Sequence, residues 1–129
     1  MGQRLFIESA SVKQPMENLV LSTSMRLAVV GYIKTLSNEI ARDGITMNVL
    51  APGFHETAAM ERLFKKKTEQ SGITKDEAMQ QYIKQTTVGL LGRPEDFASL
   101  AAWFLSPHSR YVTGQTVSVD GGMIKGLMG

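Results

Sequence analysis

At 129 residues, 43% hydrophobic and 20% charged, the chain has the make-up of one soluble domain, able to bury roughly two-thirds of its unfolded surface. This composition excludes a disordered tail, a collagen-like repeat and a disulfide scaffold, and the absence of cysteine removes thiol catalysis, redox switching and thiolate metal sites. The net charge of +2 could suit an acidic partner, but its one cluster, Lys65-Lys66-Lys67, lies among Glu61, Glu69, Asp76 and Glu77 and reads as a solvated helix face rather than a nucleic-acid patch.

Arg4 to Ser9 reads as a short buried strand that opens abruptly into polar residues. Its apolar start, Leu5-Phe6-Ile7, is too brief for a signal peptide. Met1-Gly2-Gln3-Arg4-Leu5-Phe6 begins like a myristoylation signal but has Phe6 where Ser or Thr is wanted. No apolar run approaches the ~20 residues that span a bilayer, so a soluble cytoplasmic protein is expected. Pro15 breaks the chain, and a long helical pattern follows from about Asn18 to Ala41, with Leu21, Met25, Ala28, Tyr32 and Leu36 forming one apolar stripe. Asp43-Gly44 ends that helix on a glycine. The strand Ile45-Thr46-Met47-Asn48-Val49-Leu50 follows and is stopped by Ala51-Pro52-Gly53.

Thr57 can cap a short helix that carries Met60, Leu63 and Phe64 on one side, and Thr74-Lys75-Asp76-Glu77 has the spacing of a capping box. Gly92-Arg93-Pro94-Glu95-Asp96 starts a further helix with proline and two acids in its first turn. Phe97, Leu100, Ala101, Phe104 and Leu105 give it a helical stripe that stops at Ser106-Pro107. Gln115 to Val119 alternates as a strand before Asp120-Gly121-Gly122. The methionines Met16, Met25, Met47, Met60 and Met79 fall mostly at apolar-patterned positions and read as core filling. With neither repeat nor linker, residues 1–129 form one α/β domain of three strands and about four helices. Helices between the strands imply right-handed crossovers in a parallel sheet, and three strands make that sheet look incomplete.

Five stretches carry a resemblance: Ser11-Val12 after the first strand; Gly31 to Leu36; Gly44-Ile45-Thr46-Met47-Asn48-Val49-Leu50-Ala51-Pro52-Gly53-Phe54-His55-Glu56-Thr57; Gly92-Arg93-Pro94-Glu95-Asp96; and Tyr111-Val112-Thr113-Gly114-Gln115-Thr116-Val117-Ser118-Val119-Asp120-Gly121-Gly122. In this order they resemble the C-terminal half of a short-chain dehydrogenase/reductase of the 3-oxoacyl-ACP reductase type. The resemblance implies a partial Rossmann-type parallel sheet, equivalent to strands five to seven, and hydride transfer on a carbonyl/alcohol pair with NAD or NADP. It places Pro52, Gly53 and Thr57 beside the nicotinamide, where a helix N-terminus offers free N–H groups. The residues alone also allow Pro52-Gly53 to be a strand-ending turn and Thr57 a helix cap.

The sequence departs from the family in two places. No G-x-G-x-x-G or G-x-x-x-G-x-G occurs, so the element that grips the dinucleotide is missing. The family's tyrosine and lysine, four residues apart on the long helix, fall on Ser22 and Arg26. The i, i+4 geometry survives, but a serine is a far weaker acid than a phenol, and arginine stays charged. Leu36, Thr86 and Gln115 stand four residues after Tyr32, Tyr82 and Tyr111, so no other tyrosine restores the pair. Ser11 matches the serine that holds the substrate carbonyl, with Ser9 as the other candidate.

His55 and His108 lie in loops with no ligand-spaced acid or second histidine nearby, so no metal site is expected. No G-x-S-x-G elbow supports a hydrolase. Two functional readings follow. One is an NAD(P)-dependent oxidoreductase for a small carbonyl/alcohol substrate, incomplete as a lone chain. The other is a non-catalytic interaction module or remnant half-domain. In either, partners are expected: a second copy through the long helices Asn18 to Ala41 and Glu95 to Leu105, or a separate N-terminal half laid on the open edge of the first strand.

Overall fold

A computed structural model describes residues 2–129; Met1, the first residue of the myristoylation-like start, lies outside them. The strands are β1 (Gly2–Ile7), β2 (Ile45–Pro52) and β3 (Thr116–Val119), and the helices are α1 (Val20–Ile40), α2 (Ala58–Ser71), α3 (Lys75–Ile83) and α4 (Pro94–Phe104). The strands form one parallel sheet in the order β1-β2-β3. Gly2 pairs with Ile45 through to Ile7 with Leu50, and Val49 with Thr116 through to Pro52 with Val119.

The central strand is where burial is most complete. Its inner six residues are all buried, Met47 and Val49 against Ile33 of α1 on one face, while Leu50 on the other is sealed as well. Incompleteness of the sheet therefore lies at its edges: β1 pairs only with β2 among the described residues, and Ile7 at its end is 60% exposed. A second core gathers Met60, Phe64, Ala78 and Leu91, joining α2 and α3 into a lobe beyond the carboxyl end of β2.

Local chemistry sets the element ends. The chain leaves α1 through a 3-10 turn, Ala41–Asp43, and closes at Gly44 with φ 77°, a left-handed conformation that glycine adopts without a Cβ penalty. Thr57 Oγ1 accepts from Met60 N, and Thr74 and Glu77 complete the expected capping box. At α4, Asp96 accepts from Arg93 N at 2.8 Å and from Arg93 Nη2 at 3.2 Å, tying down the entry to the helix. Bonding by the backbone N–H first, then by the guanidinium, holds the Asp96 carboxyl below the usual carboxylate range and raises the Arg93 pKa.

The α1 stripe differs from expectation. Leu21, Met25 and Tyr32 are exposed, and the face that packs on the sheet is Ile33 with Val30, Leu36, Ile40 and the buried Ser37. Leu36 is the member of the expected stripe that packs inward; both faces of this helix are apolar, so periodicity alone picked out mainly the outer one. No described helix is long and apolar enough to cross a membrane.

Candidate functional site

In open parallel sheets, ligands settle at the carboxyl ends of the strands, where connections diverge. Here that edge carries a hollow of about 420 Å³. Pro52, the last residue of β2, Gly53 and Thr57 line it together with Ile7, Leu63 and Phe97. The three residues assigned to the nicotinamide thus share one hollow. The close approach that demands glycine at position 53 is internal: a Cβ there would sit 2.8 Å from Asp120 Cα. Asp120 is itself fixed, accepting from Gly122 N and Ile124 N, so the final strand's exit turn braces the floor of the hollow.

Beside the hollow, one residue beyond Ile7, stands Glu8, which sequence reasoning missed. Its N–H continues the strand ladder to Leu50 O at 2.9 Å, and its carboxylate, 10% exposed, receives Arg26 Nη1 at 3.0 Å. Arg26 Nε reaches Ser22 Oγ at 3.4 Å. Ser22 and Arg26 are therefore joined as the i, i+4 spacing requires, and Glu8 fixes the guanidinium from across the strand end. A lone acid after an apolar strand gave no signal that its partner lay eighteen residues on.

Ser9 caps a 3-10 turn at Ala10–Val12, its Oγ accepting from Ser11 N at 3.3 Å. Ser11 is buried, and its Oγ has no hydrogen-bond partner among the described residues. Ser11, Ser22 and Arg26 do not line the hollow. His55 lines the hollow as well, buried edge-on to Phe97 with its Nδ1 3.3 Å from Gly53 O, while His108 is exposed in the turn after α4.

A larger groove of about 740 Å³ runs between residues 14–19 and the α2–α3 lobe and shares Phe54 and Leu63 with the hollow. Lys66 and Lys67 line it, so two of the three consecutive lysines face a cavity, and Lys65, 4.0 Å from Glu69, keeps the surface role. Tyr82, in the same groove, has its pKa raised by burial.

Parallel strands, helical crossovers and a hollow at the strands' carboxyl ends define part of a Rossmann-type α/β fold. A family model described as enoyl-(acyl carrier protein) reductase matches residues 2–124. The short-chain reductase protein NovJ of Streptomyces niveus is 38% identical over 95 residues, covering 74% of this chain and 35% of that protein. The NADPH-dependent reductase BacG of Bacillus subtilis is 31% identical over 115 residues, covering 89% and 44%. The crystal structure of L-sorbose reductase from Gluconobacter frateurii, complexed with NADPH and L-sorbose, superposes with a TM-score of 0.91 at 25% identity, covering 98% of this chain and 48% of that one. The chain belongs to the short-chain dehydrogenase/reductase family, and it spans less than half the length of these relatives.

Proposed function

We propose that this chain is the substrate-side half of an NAD(P)-dependent carbonyl reductase. The observation that carries the reading is the convergence of Pro52, Gly53 and Thr57 on one apolar hollow at the strand ends. The Glu8–Arg26–Ser22 chain starts one residue beyond Ile7, at the same end of the sheet. The hollow fits the nicotinamide end of NAD(P): apolar walls suit a flat ring, and the start of α2 offers N–H groups free of intrahelical partners. Nothing in the sequence cradles the pyrophosphate, so dinucleotide binding calls for a glycine-rich half on the same or another polypeptide.

When bound, the reduced cofactor supplies a hydride to the carbonyl carbon. The chain's own part is electrostatic and positional. Arg26, anchored by Glu8, puts a fixed positive charge beside the Ser22 hydroxyl, where negative charge develops on the carbonyl oxygen. Neither group is a general acid near neutral pH, so the proton comes from water or the complementary half. Of the two serines after β1, Ser11 has its hydroxyl sealed and unpartnered, and Ser9 keeps a free O–H proton because its cap bond only accepts. Contact between Ser11 and a substrate needs the turn at Ala10–Val12 to open; Ser9 needs no such step.

The second reading, a non-catalytic pairing module, draws on the exposed Leu21, Met25 and Tyr32 of α1 and on the edge of β1 that pairs with no other strand among the described residues. It predicts a second copy on the α1 face. Calorimetric titration of NADH and NADPH, with the mass measured by light scattering on the same sample, separates the two. Saturable binding supports the reductase half. A well-folded oligomer that binds neither nucleotide removes a self-sufficient cofactor site and leaves a half-domain that needs, or has lost, its partner. Nucleotide binding restored by adding a glycine-rich half then separates the reductase half from the pairing module.

A further inference from the structure

We infer that the groove between residues 14–19 and α2 takes an elongated apolar carbonyl compound ending in an anionic group, held by Lys66 and Lys67; this rests on the reductase reading for where the carbonyl lies. On α2, Ala59 and Leu63 line the hollow, and Leu63, Lys66, Lys67 and Gln70 line the groove. Spacings of three and four put these residues on one face, so a single helix stripe runs from one cavity into the other. At ~1.5 Å per residue, Lys67 lies about 15 Å along the axis from Thr57 and about 6 Å from Leu63. A ligand with its carbonyl at the mouth of the hollow, toward the end of β1, and an apolar body over Phe54 and Leu63 therefore brings its far end to the lysines.

Charge pairing along α2 selects which lysines are available. Lys65 is matched by Glu69, and Glu61 is taken by Lys75 at 2.8 Å. Lys66 has no ion-pair partner among the described residues. Lys67 also lacks a carboxylate partner, but it is held in place, 4.5 Å over the Tyr82 ring and bonded to Gln81 Oε1 at 2.6 Å. Glu17 is the single acid among the groove's lining residues, against two cations. On the opposite wall Asn18 holds φ 63°, a conformation uncommon outside glycine, which turns the chain between Glu17 and Leu19 around the rim.

The test titrates 10-oxoundecanoate and its methyl ester into the purified chain by calorimetry, with the double variant Lys66→Gln/Lys67→Gln and the control Lys65→Gln. The acid should bind the unaltered chain about tenfold more tightly than the ester, an advantage of the size expected for two partly exposed ion pairs. The double variant should bring acid and ester level, and K65Q should keep the gap. Equal binding of acid and ester by the unaltered chain, no saturable binding of either, or an undiminished gap in the double variant would overturn the inference. NADPH titrated into the same samples reads the reductase proposal separately. An acid–ester gap with no NADPH binding keeps the anion site and removes only a cofactor site built by this chain alone.

Discussion

Replacing Arg26 by methionine removes the cation 3.0 Å from Glu8 Oε2 and strands a carboxylate whose side chain is 10% exposed. A fully buried carboxylate stripped of its partner costs ~3–5 kcal/mol, and an exposed pair is worth ~0–1 kcal/mol. Arg26 is itself 40% exposed, so solvent screens the pair, and the loss falls between these limits at about 2 kcal/mol. The reverse change, Glu8→Gln, leaves a guanidinium that can turn toward water, and should cost about 1 kcal/mol. The double variant should cost no more than Arg26→Met alone, which gives a coupling energy of about 1 kcal/mol. Urea unfolding followed by circular dichroism reads this directly. With a slope of ~2 kcal/mol per molar, the Arg26→Met midpoint falls by about 1 M, and 1 M NaCl should reduce the coupling only in part. A coupling below ~0.3 kcal/mol, or an Arg26→Met variant no less stable than Glu8→Gln, refutes the anchoring argument.

Gly53→Ala places a Cβ 2.8 Å from the Asp120 backbone and should destabilise by ~1–3 kcal/mol; an unchanged thermal melt would show that the close packing is not required. Thr57→Ala removes the α2 cap and should cost about 1 kcal/mol, with Thr57→Ser restoring most of it; a serine variant as unstable as the alanine one refutes the capping role. Asp96 has a folded-state pKa depressed by Arg93, so its stabilising contribution is full above the unfolded value of ~3.9 and is lost as pH falls through the lower folded value. The stability gap between the native chain and Asp96→Asn should therefore be flat from about pH 5 to 7 and shrink below about pH 4; a gap that widens on acidification contradicts the assignment.

The sequence was most legible where a residue type does one local job. Thr57 and Thr74 as caps, Gly44 as a helix stop and the three strand cores are short-range signals, and the structure places each where the pattern did, within a residue or two at the boundaries. Pro52, Gly53 and Thr57 came as a group from the family resemblance, since their spacing by itself fits a strand-ending turn and a helix cap equally well; the strand exit and helix entry do bring them to one edge of the sheet. The α1 face was not legible, since Leu21, Met25 and Tyr32 repeat as regularly as Val30, Ile33 and Ile40, and periodicity does not say which row meets the sheet. Glu8 and the groove lysines were missed for a related reason. A salt bridge between a strand end and a helix, or a cavity between a loop and a helix, depends on tertiary geometry that no local spacing encodes.

The strand register carries a kinetic consequence. Gly2 meets Ile45 and Val49 meets Thr116, so each strand pair closes a loop of about 43 or about 67 residues before any ladder bond repays the lost chain entropy. Ile33 reaches Met47 and Val49 over a much shorter span. The docking of α1 on β2 is thus the cheapest contact that involves the sheet, and β1 and β3 can zip onto that seed from either side. Substitutions at Ile33 should slow refolding, whereas those in β3 should chiefly speed unfolding. The hollow, which needs Gly53 seated on Asp120, takes shape only when β3 arrives.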